Sequence, residues 1–249
     1  MKMAKFEKFF VNSEGRSQRV AEYAEKMLGL TGFAPGQRYL DFGCGNGAAA
    51  VRLASKLGLN VTGIDVDPEQ IETARERTGQ TANVRFFSAD GTQLPFGDNE
   101  FDFVGTHMVT HHIPDWQNAL HQMLRVLKPN GCLIYKDFAL PKWLASFGRQ
   151  ISKSLGYLTA EDLNRFAEEN RLAIVHLARS FNKYEAVWRK PARSSVRREV
   201  AVTQACKYGY NLPSAAQFAT SCSTENLRCR SRLKRSSRVY AFTSRGIAS

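Results

Sequence analysis

Long hydrophobic runs are absent from this sequence of 249 residues. A membrane-spanning helix needs about 20 consecutive apolar residues, and no stretch of the chain approaches that length. Residues 1–10 alternate lysine with phenylalanine and lack the apolar core of a signal peptide. We therefore expect no transmembrane segment and a cytoplasmic location.

Paired cysteines are also missing. The five cysteines form no C-x-x-C pair, and no histidine lies near them at the spacing of zinc ligands. We expect free thiols in a reducing compartment and predict no metal site. The cysteines are Cys44, Cys132, Cys206, Cys222 and Cys229.

Acidic residues are outnumbered by basic ones, which gives the chain a net charge of +12. Residues 191–249 carry eleven basic residues against Glu199 and Glu225, so they account for +9 and leave +3 for residues 1–190. This segment is rich in serine and arginine and lacks apolar periodicity, so we expect a mostly disordered tail. Nucleic-acid binding by the tail and an origin outside the native reading frame are open alternatives.

Short apolar segments alternate with helical patterns in residues 1–190, which indicates an α/β domain with a parallel sheet covered on both faces. An amphipathic helical cap is predicted over about residues 1–33, where Phe6, Phe9 and Phe10 either cover a cleft or pack on the domain. The predicted strands are Arg38–Phe42, Asn60–Asp65, Val84–Ser88, Phe101–Gly105 and Cys132–Asp137. The predicted helices between them are Ala48–Leu57, Pro68–Arg77 and Asp115–Leu127.

Two further strands, Ala173–Ala178 and Tyr184–Trp188, follow a predicted helix over Ala160–Glu169. Only a few residues join these strands, so they form an antiparallel hairpin and bring the count to seven. An apolar stripe of Trp143, Phe147, Ile151 and Leu155 precedes them at helical spacing. Such a stripe is most often core, and a substrate lid or a membrane-surface helix are the alternatives.

A glycine-rich loop follows the first strand, with Gly43, Gly45 and Gly47 at every second position and a helix from Ala48. Glycine permits a sharp turn and a close approach of a ligand to the backbone. Asp41 adds a carboxylate at the strand end. The loop also satisfies the G-x-G-x-x-A pattern of dinucleotide sites, so it leaves NAD and S-adenosylmethionine open as cofactors.

The motifs farther along the chain favour the second cofactor. Asp65 ends the second strand 18 residues after Gly47, where a ribose-binding acid is expected for either cofactor. The motifs Ala-Asp-Gly, Leu-Pro-Phe and His-His-Ile-Pro-Asp follow, from Ala89 to Asp115. Taken together, residues from about 20 to 190 resemble the class I S-adenosylmethionine-dependent methyltransferases. The group that they resemble most is the ubiquinone/menaquinone-biosynthesis methyltransferases (methyltransferase type 11).

This resemblance implies a Rossmann-like fold: seven mostly parallel strands, an antiparallel last strand and helices on both faces. It implies that Asp41 binds the ammonium group of the cofactor, Asp65 the ribose hydroxyls and Asp90 the adenine amino group. Asp90 as a turn residue and Thr106 as a strand-end hydroxyl are the structural alternatives. The other residues expected at the cofactor are Gly43, Cys44, Gly45, Gly47, Val66, Gly91, Thr106 and His107.

The implied reaction is methyl transfer to a small, apolar acceptor, in which the protein mainly aligns the nucleophile. His111 and His112 are the candidate bases if the acceptor must lose a proton; organising the loop is their alternative role. The Asn/Asp-Pro-Pro-Tyr/Phe motif of enzymes that methylate exocyclic nitrogens is replaced by Thr106-His107-Met108-Val109. An RNA methyltransferase that uses the basic tail and a non-catalytic S-adenosylmethionine-binding protein are the alternatives.

Overall fold

The structure, a computed structural model, describes residues 14–79, 81–151 and 155–192. Its helices are α1 (Glu14–Gly29), α2 (Ala48–Leu57), α3 (Pro68–Arg77), α4 (Trp116–Val126), α5 (Lys142–Ile151) and α6 (Ala160–Glu169), with a 3-10 turn at Thr110–His112. Its strands are β1 (Arg38–Phe42), β2 (Asn60–Asp65), β3 (Val84–Ser88), β4 (Phe101–His107), β5 (Leu127–Phe138), β6 (Ala173–Ser180) and β7 (Lys183–Arg189).

All seven strands form one sheet in the order β3-β2-β1-β4-β5-β7-β6. Strands β1 to β5 pair in parallel, whereas β7 is antiparallel to both β5 and β6. The strand order reverses between β1 and β4, and ligands of doubly wound folds bind at the carboxyl ends of the strands near such a point. The predicted fold class is thereby confirmed, including the antiparallel hairpin at its end.

Helices cover both faces of the sheet because successive strand residues point to opposite sides. Leu40 and Phe42 of β1 pack in one buried cluster with Leu120 of α4 and Leu163 of α6. Tyr39, the residue before Leu40, packs in a second cluster whose helical members include Met27, Leu28, Leu53 and Ile71 of α1, α2 and α3.

Side-chain caps stabilise the first turns of two helices. The side chain of Asp67 accepts a hydrogen bond from the N–H of Glu69 and caps α3, with Pro68 at the first helical position. Thr159 and Asp162 form a reciprocal capping box at the start of α6. These caps fix where each helix begins relative to the strand before it.

Strands β4 to β7 are each longer than predicted, and the differences in β4 and β5 concern the strand-end residues. Strand β4 continues to His107, so Thr106 and His107 lie inside the strand and not after it. Strand β5 begins at Leu127, and its pairing register with β4 shifts between Phe101 and Phe103. Asn130 adopts a positive φ of 64° in this segment, which marks an irregularity within the strand.

The prediction that the apolar stripe is core is wrong for Trp143, Phe147 and Leu155. Trp143 is 70% exposed and Phe147 is 59% exposed on α5, and Leu155 beyond the helix is 39% exposed. The helix instead packs through small residues, because Ala145 is fully buried and Gly148 faces the ring of Tyr157.

Some predictions fall on residues outside the described ranges. These are the first 13 residues of the N-terminal cap, with Phe6, Phe9 and Phe10, and the tail from residue 193 onward. Within the described ranges, no helix combines the length and the hydrophobicity that crossing a bilayer requires.

Candidate functional site

The glycine-rich loop requires glycine for conformational and steric reasons. Gly43, Gly45 and Gly47 have φ values of 78°, 52° and 72°, in the region that other residues rarely adopt. A Cβ on Gly43 would lie 2.4 Å from the side chain of Val109, and one on Gly47 would lie 2.6 Å from Phe86. The loop glycines therefore also serve the packing of the protein itself.

The N–H groups of this loop are largely engaged within the protein. Gly43 and Cys44 both donate to the carbonyl of Ile64 at 2.8 Å, and Gly45 donates to Oδ2 of Asp65 at 3.0 Å. The Cys44 thiol lies against its own loop, and burial raises its pKa well above the ordinary value. A phosphate cradle needs N–H groups that point at the ligand, and this loop directs these donors inward.

Asp41 presents a carboxylate atom that the fold does not satisfy. Among the described residues, its buried Oδ2 has no hydrogen-bond partner, and the same holds for Oγ1 of Thr106 on the adjacent strand β4. Both residues line a small cavity of about 20 Å³ beneath α1, together with Tyr23 and His107. This volume suits a water-sized group and not a nucleoside.

Burial, with the negative charge of Asp65 as the second cause, raises the pKa of Asp41 to about 7. Asp65 is the last residue of β2, and its carboxylate accepts hydrogen bonds from the N–H groups of Gly45 and Asp67, at 3.0 and 2.9 Å. Burial also raises the pKa of Asp65, although these hydrogen bonds oppose the shift. Two neighbouring carboxylates that are costly to ionise favour a ligand with positive charge.

Asp90 lies after β3 in an exposed turn. Its Oδ1 accepts from both the N–H and the hydroxyl of Thr92, at 2.8 and 2.7 Å. These hydrogen bonds lower the pKa of Asp90, which therefore stays ionised. The turn role anticipated for this residue is present, and both of these bonds end on Oδ1.

Apolar side chains also lie at the carboxyl ends of these strands. Val66 follows Asp65 and is 55% exposed, and Phe87 near the end of β3 is 40% exposed. Gly91 lets the ring of Phe42 pack closely, since a Cβ there would lie 2.2 Å from that ring. The ends of β2 and β3 therefore combine carboxylates with exposed apolar surface, which suits a planar ligand with polar edges.

A carboxylate–imidazole pair lies at the next two strands. Nδ1 of His111, in the 3-10 turn after β4, is 2.5 Å from Oδ1 of Asp137 near the end of β5. Asp137 is fully buried, whereas the His111 side chain is 21% exposed. Burial alone would raise the pKa of Asp137, but the hydrogen bonds from His111 and Thr110 outweigh it and lower that pKa.

Asp137 also shapes the turn that carries His111. Its Oδ2 accepts from the N–H groups of Val109 and Thr110, at 3.1 and 2.6 Å, and from the Thr110 hydroxyl at 2.6 Å. Met108, with a positive φ of 59°, makes the sharp turn that brings these donors together. The pair orients Nδ1 inward, so Nε2 of His111 is the nitrogen that remains for a ligand.

Sequence reasoning identified His111 but missed Asp137. The signal was present, since Asp137 comes near the carboxyl end of a predicted parallel strand, where side chains of neighbouring strands meet.

His112 lies beside His111, with ring centroids 3.9 Å apart. Among the described residues, no group of three or more histidines, cysteines or carboxylates is arranged to hold a metal ion.

The strand order, with helices on both faces of the sheet, defines a Rossmann-like α/β domain. A solved S-adenosylmethionine-dependent methyltransferase from Aquifex aeolicus superposes with a TM-score of 0.59 over 76% of this chain and 99% of its own, at 19% identity. The cyclase SpnF superposes with a TM-score of 0.58 over 71% and 81%, at 22% identity. These likenesses establish the fold alone.

Residues 40–135 match the family described as "Methyltransferase domain", the kind of domain that the motifs of this region resemble. A 27-O-demethylrifamycin SV methyltransferase of Amycolatopsis mediterranei is 38% identical over 119 residues, which are 47% of this chain and 44% of the relative. A demethylmenaquinone methyltransferase of Staphylococcus aureus is 36% identical over 121 residues, or 48% and 50%. A 2-methyl-6-phytyl-1,4-hydroquinone methyltransferase of Synechocystis sp. is 38% identical over 110 residues, or 44% and 35%.

The chain thus spans half or less of the length of these relatives. The shared region contains the glycine-rich loop and most of the strand-end residues. The segment after Tyr135, which includes Asp137 and α5, lies beyond the family match.

Proposed function

We propose that this protein catalyses S-adenosylmethionine-dependent methyl transfer to a small, apolar acceptor. The observation that carries the proposal is the pair of neighbouring carboxylates at β1 and β2, with Oδ2 of Asp41 buried and without a partner among the described residues. A cationic donor relieves the repulsion between Asp41 and Asp65, whereas the pyrophosphate of NAD would increase it.

The residues present fit this cofactor chemically, while the cavity of about 20 Å³ beside Asp41 has room for its ammonium end and not for its nucleoside. Asp41 would accept from its ammonium group, Asp65 from its ribose hydroxyls and Asp90, through Oδ2, from its adenine amino group. Each oxygen of a carboxylate has two lone pairs, so Asp65 can keep its bond from Gly45 and accept another. Val66 would lie beside the adenine ring. The remaining contacts are assigned to Gly43, Cys44, Gly45, Gly47, Gly91, Thr106 and His107.

The cofactor supplies a methyl group that is already activated by its bond to a sulfonium. The protein must therefore orient the acceptor and, where the attacking atom carries a proton, remove it. Nε2 of His111 is the group for that proton, because Nδ1 is held by Asp137 at 2.5 Å. The buried Asp137 carboxylate would stabilise the imidazolium that forms, and a correctly positioned base contributes about 10²–10⁴-fold in rate. His112 is the second candidate, beside His111.

The acceptor class is supported by two observations. The His111 ring packs edge-on against Phe138, with centroids 5.1 Å apart, which gives the site an aromatic wall. The matched relatives are named for a hydroquinone, a menaquinone precursor and a rifamycin precursor. We extend to this chain only the shared chemistry, a small acceptor with a large apolar part.

The test is methyl transfer from radiolabelled S-adenosylmethionine by the full chain to a panel of hydroquinones, phenols and their methylated analogues. We expect label in at least one hydroquinone or phenol, and its loss in His111→Gln with cofactor binding retained. Cofactor binding without transfer to any acceptor would support the non-catalytic alternative. Failure to bind the cofactor would overturn the proposal.

Three points stay predictions within this proposal: the cytoplasmic location, the domain of residues 1–190 and the tail of residues 191–249. Deleting residues 191–249 tests the RNA methyltransferase alternative. A steep, salt-dependent affinity for RNA that disappears with the tail would favour it, and unchanged transfer to a small acceptor would argue against it.

A further inference from the structure

Helix α5 buries small residues and exposes large aromatic ones, the reverse of an ordinary amphipathic helix. Its buried side is made of small residues, with Ala145 fully buried and Gly148 so close to Tyr157 that a Cβ would lie 2.3 Å from that ring. Its outer side carries Trp143, 70% exposed, and Phe147, 59% exposed, one helical turn apart. Leaving two large aromatic side chains in water forgoes the favourable transfer free energy that their burial would provide.

A third exposed aromatic residue lies in a turn that adjoins the start of α5. Phe181, in the turn between β6 and β7, is 83% exposed. The next residue, Asn182, accepts a hydrogen bond from the N–H of Ala139 at 3.1 Å, so this turn adjoins the chain that enters α5. We call Trp143, Phe147 and Phe181 the aromatic face.

Basic side chains border the aromatic face. Lys142, beside Trp143, is exposed, and its pairing with Glu161 is long at 3.6 Å. Lys183 and Arg179 are exposed at the β6–β7 turn, on either side of Phe181. Against Glu161, the carboxylate that pairs with Lys142, these three basic side chains give the border a net positive charge.

We propose that the aromatic face docks this protein on the surface of an anionic lipid bilayer. Tryptophan and phenylalanine on one side of a surface helix insert at the boundary of headgroups and acyl chains, and lysine or arginine beside them pairs with anionic headgroups. The composition of this face, with aromatic tips and a cationic border, matches both requirements.

A second copy of the chain fits this face less well. Self-association would place Lys142 and Lys183 near the same charges of the partner, which is repulsive. Three aromatic tips also provide much less area than the roughly 800 Å² per partner of a typical stable protein interface. A bilayer needs no matching contour, because its acyl chains adapt to each side chain.

The docking face is connected to the turn that carries His111. The chain that leaves α5 returns over this turn, where the N–H of Gly156 donates to the carbonyl of His111 at 2.9 Å. The N–H of Leu140, just before α5, donates to the carbonyl of Leu158 at 2.8 Å. Docking therefore engages a helix whose flanking segments are hydrogen-bonded to each other and to the turn that carries His111, although bilayer binding itself requires no catalytic activity.

Trp143 provides a direct probe, because the other two tryptophans, Trp116 and Trp188, are buried. The full chain is mixed with vesicles of phosphatidylcholine, with or without one third phosphatidylglycerol, and followed by tryptophan emission and co-sedimentation. We expect a blue shift and co-sedimentation with the anionic vesicles, both weakened by salt. The double variant Trp143→Ser/Phe147→Ser should lose at least about tenfold in partitioning.

The matched control is Ile174→Ser, which removes another exposed apolar side chain, 59% exposed, at the opposite end of β6. This variant should bind vesicles like the unchanged chain. Equal binding by the double variant would show that the basic tail alone attracts the lipid, and would overturn the proposal. So would a blue-shifted emission of Trp143 before lipid is added, or loss of self-association as the only effect of the double variant.

Discussion

Replacing Asp41 by asparagine should stabilise the ligand-free protein while it weakens cofactor binding. The pKa of Asp41 is raised from 3.8 to about 7 by burial and by Asp65. A carboxyl group with a raised pKa contributes stability below its unfolded pKa, and this contribution is lost as the pH rises through the folded pKa. Asparagine keeps the shape and has no charge to desolvate.

The expected magnitude follows from the shift. About three pKa units at 1.36 kcal/mol each give a difference in unfolding free energy of at most about 4 kcal/mol at pH 8. At pH 5 the same linkage makes the free energy of unfolding of Asp41→Asn higher than that of the unchanged chain by less than about 2 kcal/mol. The advantage of the variant should therefore grow across pH 5 to 8, in the window set by the two pKa values.

Urea unfolding of both proteins at pH 5 and pH 8 measures this difference directly. Asp98→Asn is the control, because Asp98 is 69% exposed in its pair with Arg125 and should change stability by less than about 1 kcal/mol. An Asp41→Asn protein that is less stable than the unchanged chain at pH 8, or a stability difference that does not vary with pH, would refute the reasoning.

Three further predictions concern the base and the scaffold. Asp137→Asn should lower kcat by about tenfold or more, because the imidazolium of His111 loses its counter-charge; Tyr135→Phe, which removes only a hydroxyl bonded to Thr110, should leave kcat within about threefold. Gly105→Ala should destabilise the protein by at least about 2 kcal/mol in urea unfolding, because its Cβ would lie 1.7 Å from the Tyr39 hydroxyl; a neutral effect would contradict this packing. Thr159→Ala should cost about 1 kcal/mol through loss of the α6 cap, with methyl transfer unchanged, and an altered KM would contradict a purely structural role.

The fold was predictable because its signals are local and mutually consistent. Asp67 followed by Pro68 marks the start of α3, and Gly58 ends α2 with a φ of 66°. The short connection after β6 excludes a parallel crossover, so β7 had to be antiparallel. Each of these features depends on a few neighbouring residues.

The orientation of α5 and the pairing of His111 depend on tertiary contacts, which the periodicity of the sequence does not reveal. The spacing of Trp143 and Phe147 predicts a helix but not which side faces inward, and Gly148 against Tyr157 decides that. The partnership of His111 with Asp137 joins residues 26 positions apart. The sequence predicts that the glycines of the loop contact a ligand, but it does not show that a Cβ on Gly43 or Gly47 would also meet Val109 or Phe86.

The most direct test of the central claim is calorimetric titration of the full chain with S-adenosylmethionine and, separately, with NAD, at pH 6 and pH 8. The acidic pair at β1 and β2 predicts one S-adenosylmethionine site that binds up to about tenfold more tightly at pH 8, since Asp41 must lose its proton first. Asp41→Asn should bind weakly and without this pH dependence. Binding of NAD without binding of S-adenosylmethionine, or an affinity that Asp41→Asn leaves unchanged, would contradict the account.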